Sequence, residues 1–97
     1  GTIYMTSQSN GSAHPLVLIE WVDSMQPSPS WAYLNDLPSV EIVHCKSVGW
    51  LVAETDEVKM LAPNLGNLQD EDGKQGSGFI RIPTACVVKE TTLVEAV

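Results

Sequence analysis

Residues 40–54 read VEIVHCKSVGWLVAE, and this stretch decides the fold. Val40, Ile42 and His44 alternate with Glu41, Val43 and Cys45. A period of two places successive side chains on opposite faces of a strand. From Val48 onward both faces become apolar, with Gly49 in the middle. A glycine inside a strand marks a bulge, a bend or a close backbone approach. The spacing predicts one long strand over 40–54 that kinks near Ser47 to Gly49, as a small barrel needs at a corner.

The neighbouring segments extend this pattern. Thr55-Asp56-Glu57 is a tight connection, and Val58 to Ala62 follows as a hairpin partner. Upstream, LVLIEWV at 16–22 is a short strand rich in branched and aromatic residues. Val17, Ile19 and Trp21 share one of its faces; Leu18, Glu20 and Val22 share the other. Downstream, Asn64 to Gly78 holds four Gly and the acidic run Asp70-Glu71-Asp72, and reads as a solvated loop. GFIRI at 78–82 is the next strand. Pro83 breaks it, Thr84-Ala85 turn, and 86–93 form the last strand before a short tail.

Segment 25–39, MQPSPSWAYLNDLPS, joins the first two strands. Pro27 and Pro29 forbid a ladder there. Ser30 is placed to cap a single helical turn over Trp31 to Asp36, which Pro38 stops. The segment is too apolar for a floppy linker and is expected to fold back onto the strands. No repeat and no sustained apolar stripe of period 3.6 is present. The expected fold is therefore mainly β, one small closed barrel of about five strands with one short helical turn in a long loop. Closure would also remove exposed strand edges. With 97 residues the chain suits one domain. Residues 1–14, rich in Ser, Gly, Asn and Thr, are read as a flexible leader, and 15–97 as the domain.

Two sets of motifs carry a resemblance. The Ile82-Pro83 step, followed by a turn and a Val87-bearing last strand, resembles an SH3-like barrel. Trp21-Val22-Asp23-Ser24, Trp31, Ser47-Val48-Gly49-Trp50-Leu51-Val52, Glu54-Thr55-Asp56 and Ile82-Pro83 are similar to short uncharacterised proteins encoded by phages and mobile genetic elements. The resemblance spans roughly residues 17 to 93. It implies a compact β domain of mobile-element origin and carries over no catalytic residue.

Charge removes several functions. Twelve acidic residues face five basic ones, for a formal net charge of −7. Lys46, Lys59, Lys74, Arg81 and Lys89 form no run, so nucleic acid and anionic membranes are disfavoured as partners. No charged n-region followed by an apolar h-region opens the chain. Cys45 and Cys86, the only cysteines, would pair as a disulfide in a secreted chain; the favoured reading is two small buried apolar side chains in a reducing compartment, and the expected compartment is cytoplasmic.

Chemistry finds no constellation. His14, His44, Cys45 and Cys86 are the only nitrogen and sulfur ligands beyond Met, and His44 and Cys45 point to opposite faces of a strand. The acidic run lacks calcium-loop spacing. A Cys45 or Ser47 nucleophile has no general base within reach. No cofactor, no metal and no enzymatic activity are expected. The aromatics remain. Trp31 and Tyr33 lie in the Pro-containing loop, and Trp50 shares a face with Val48 and Val52 on the doubly apolar strand. Large amphipathic rings are enriched at protein interfaces. The reading is a non-catalytic protein-interaction or assembly module, self-association included, with Trp31, Tyr33 and Trp50 as partner-binding residues. The alternative is a small-molecule or nucleic-acid-binding barrel. A Trp31–Trp50 contact would cover the apolar strand face.

Overall fold

The computed structural model describes residues 2–3, 14–24 and 27–96. Its strands are β1 (Thr2–Ile3), β2 (Leu16–Asp23), β3 (Val43–Glu54), β4 (Val58–Ala62), β5 (Asn64–Gly66), β6 (Gln75–Ser77), β7 (Ile80–Pro83), β8 (Val87–Thr92) and β9 (Glu95–Ala96). A 3-10 turn, Thr84–Cys86, joins β7 to β8. Residues 4–13, most of the expected leader, lie outside the described residues; Thr2–Ile3 pairs antiparallel with Glu95–Ala96.

The period-two pattern of β2 sets the inside of the sheet. Val17 and Ile19 are fully buried, and Trp21 packs partly buried beside them. Across the ladder Val17 faces Gly49, Ile19 faces Ser47 and Trp21 faces Cys45. Trp21 donates its indole N–H to Ser47 Oγ at 3.0 Å, so the aromatic enters the core with its polar atom satisfied. Leu61 from β4 and Ile82 from β7 complete the buried cluster, with Leu51, Ile80 and Val87 packed against it. The opposite face carries Leu16, Leu18, Glu20 and Val22 across from Trp50, Val48, Lys46 and His44.

The main sheet has five strands in the order β7-β4-β3-β2-β8. Its two edges, β7 and β8, are neighbours in the chain and are separated only by the 3-10 turn. In a flat sheet those edges would stand about 19 Å apart, at about 4.8 Å per strand. Four residue steps from Pro83 to Val87 span at most about 14 Å, and less when wound into a 3-10 turn. The sheet must therefore curl. Lys59 on β4 confirms the curl: its ammonium meets Glu54 at 2.8 Å and Glu90, far across on β8, at 3.0 Å. β7 and β8 nevertheless form no ladder among the described residues, so the sheet is open where the sequence reading expects closure.

These two carboxylates hold the Lys59 pKa above its ordinary value, first through the Glu54 hydrogen bond and then through that of Glu90. A raised lysine pKa gives stability that is whole below the unfolded value and is lost as pH rises through the folded one. Alkaline titration of the fold is expected to lose stability in that window in the wild type. In Lys59→Met this step should be absent; an unchanged alkaline profile would remove the bridge from the account.

The structure corrects the sequence reading at four places. The strand expected from Val40 starts at Val43, because β2 ends at Asp23 and offers residues 40–42 no partner. The irregularity lies between Leu51 and Ala53 and not at Ser47 to Gly49, where the pairing with β2 is continuous. The helical turn over Trp31 to Asp36 is a single hydrogen-bonded turn, Asp36 N–H to Tyr33 C=O at 2.9 Å. The loop at 64–78 contains the β5–β6 hairpin, its tip closed by Asn67 donating to the Gly73 carbonyl at 2.9 Å. No helix among the described residues is long and apolar enough to cross a membrane.

Candidate functional site

Asp23 at the end of β2 lies opposite Val43 at the start of β3. Everything between them is an excursion from one point on the rim of the sheet. Its described part, residues 27–42, is exposed at every position. Two prolines deny this segment a ladder, and Pro38 precedes the stretch that would otherwise extend β3.

The segment is an arm that stands off the sheet. Trp31 is 102% exposed, as free as in an isolated peptide, and Tyr33 is 86% exposed. Leu34, Leu37, Val40 and Ile42 are exposed as well. The expected fold-back onto the strands does not occur, and the expected Trp31–Trp50 contact is not made. Trp50 instead sits half-buried on the outer face between Leu16 and Ala62. The three sequence-chosen residues thus divide: Trp31 and Tyr33 on the arm, Trp50 on the sheet. The sequence signal for Leu34, Leu37, Val40 and Ile42 is their crowding beside two aromatics.

The arm is also acidic. No Lys or Arg precedes Lys46, whereas Asp36 and Glu41 lie on the arm and Asp23 at its root. Lys59 lies on the inner side of the sheet, paired with Ile82, and the other basic residues of the sheet lie on its outer face. Register places Lys46 and Lys89 beside Glu20, and Arg81 opposite Met60. Lys46 approaches Glu20 at 3.9 Å, an exposed and weak pair.

At the arm's root a hollow of about 300 Å³ is lined by Glu20, Trp21, His44, Cys45, Lys46 and Val88. The alternation that separates His44 from Cys45 persists, with His44 outward against Val22 and Cys45 inward against Trp21. Among the described residues no group of three His, Cys, Asp or Glu side chains converges as a metal site would require. Cys45 and Cys86 are free thiols, half-buried rather than fully buried as expected. Among the described residues, six of the twelve exposed large hydrophobics lie on the arm. No protein-family model matches this chain, and no curated protein or solved structure matches it.

Proposed function

We propose that the chain is a non-catalytic protein-interaction or assembly module that makes contact through the 27–42 arm. One observation carries this: six large apolar side chains, two of them aromatic, are exposed together on a segment that contributes nothing to the core. Water-exposed apolar surface of this kind is unfavourable to keep and favourable to bury, about 25 cal/mol for each Å² removed from water. Trp and Tyr add area at small cost in rotamer entropy. The sheet then serves as a rigid platform. Its SH3-like reading is supported by Ile82-Pro83 running into a 3-10 turn that links the two sheet edges.

A photoactivatable residue placed at position 33 tests the reading. Irradiation in the source cell should give discrete higher-mass adducts, and the same residue at position 68, on the exposed β5–β6 tip, should not. Equal labelling from both sites would refute a docking role. A paired expectation concerns stability. Trp31→Ala removes a fully exposed side chain, so the urea midpoint should shift by no more than about 0.5 kcal/mol equivalent while the adducts from position 33 fall several-fold. A large loss of stability would make Trp31 part of the core.

A further inference from the structure

We infer that the surface receiving the arm is the outer sheet face of a second copy of this chain, so that two copies exchange arms reciprocally. The inference rests on the arm being a contact element. It follows from a second unpartnered apolar surface in the same molecule.

That surface is the outer face of β2, β3 and β4. Leu16, Leu18, Val22, Trp50 and Met60 all keep partial exposure there, and Val48 is 52% exposed. Its rim is basic: Lys46, Lys89 and Arg81 point outward from the strands against the single acid Glu20. The arm has the opposite character, apolar side chains with Asp36 and Glu41 and no cation. In a chain of net charge −7, opposite local signs on two apolar surfaces favour docking of one upon the other.

The dimensions agree. Two buried aromatics contribute about 150–250 Å² each, and with four aliphatic side chains one arm supplies on the order of 800 Å². That is one partner's share of a stable interface, and a reciprocal exchange makes the contact twice. A two-fold pair also closes, leaving neither arm nor face vacant. The arm's own sheet is the less suitable receptor. The arm leads off the rim with Trp31 and Tyr33 fully or nearly fully exposed, rather than across that face.

Light scattering after size exclusion, at high and low micromolar concentration, reads the outcome. Wild type should form a concentration-dependent species near twice 10.5 kDa, weakened by about 0.5 M salt. An arm variant, Trp31→Ala with Leu34→Ser, and a face variant, Arg81→Glu with Lys89→Glu, should each lose at least about tenfold in dimer affinity. All four positions are exposed, so both variants should keep the wild-type circular dichroism. Mixed together they should recover a dimer, because one intact arm then meets one intact face.

A wild-type monomer at both concentrations overturns the exchange. If position 33 still crosslinks to another protein, the interaction reading survives that result; if it crosslinks to nothing, both fail. A monomer whose Trp31 is shielded from iodide quenching places the arm on its own sheet and also overturns the exchange. A dimer indifferent to the face variant, or a mixture that stays monomeric, would mean that the arm does not dock on the sheet.

Discussion

Replacing Ile82 with Ala is expected to remove about 2–5 kcal/mol of folding stability, the usual range for truncating a buried isoleucine. Ile82 is fully buried and shares its cluster with Val17, Ile19 and Leu61. A domain of this length has only about 5–15 kcal/mol in total. The position matters beyond the cavity. Ile82 lies on β7, an edge strand paired on one side only, immediately before the proline and the 3-10 turn that curl the sheet. Its side chain, with Ile80 packed beside it, seats that edge on the core. Urea unfolding should show the midpoint falling far below wild type. Ile82→Val should lose only about 0.5–1.5 kcal/mol. A loss below about 1 kcal/mol in the alanine variant would show that the β4 ladder, Ile80 and the turn hold β7 without Ile82.

Gly49→Ala tests the centre of the sheet. A Cβ at position 49 would stand 3.0 Å from the Ala62 carbonyl oxygen, 3.1 Å from its carbon and 3.2 Å from Leu61 Cβ. The first two are backbone atoms of β4, which is paired on both sides and has little room to retreat. Overpacking of this sort costs about 1–3 kcal/mol. Replacing a strand glycine recovers about 0.5–1 kcal/mol of chain entropy. Overpacking is the larger effect, and a net loss of about 1–2 kcal/mol is expected in the urea midpoint. A gain in stability would mean that β3 and β4 separate easily by a few tenths of an ångström.

These two positions also mark how far the sequence could be read. Alternation separated Val17, Ile19 and Trp21 from Leu18, Glu20 and Val22 on β2, and the structure buries Val17 and Ile19 with Trp21 packed against them while the second set stays partly exposed. Val58 to Ala62 was legible to the residue, bounded by turn chemistry on one side and Pro63 on the other. Gly49 was legible as special, but three physical causes leave the same mark on a sequence; close approach was the operative one, and the irregular pairing fell at Val52 instead. Val40 to Ile42 has strand chemistry and no strand, since a ladder needs a partner as well as a pattern. β5 and β6 are three residues each, with Gly in both, and carry no periodic signal. Alternation fixes faces and not pairing, so the open edge between β7 and β8 was not legible either.

On the arm, residue type is legible in the sequence and direction is not. Trp31 and Tyr33 stood out because aromatic rings in a proline-containing loop have few places in a thin core. Nothing in their order along the chain tells whether such a loop lies on the sheet or leaves it. The exposure of the four aliphatics emerges only from the fold, and the opposed charges of arm and outer face only once register assigns Lys46, Lys89 and Arg81 to one side.

Because Asp23 and Val43 are direct ladder partners, the sheet experiences the whole arm as one hairpin connection. Lengthening such a connection costs little, since closure entropy grows only with the logarithm of loop length. Sequence change between these residues is therefore nearly invisible to the core. The arm can therefore vary in length and sequence while the sheet beneath it keeps its register and core.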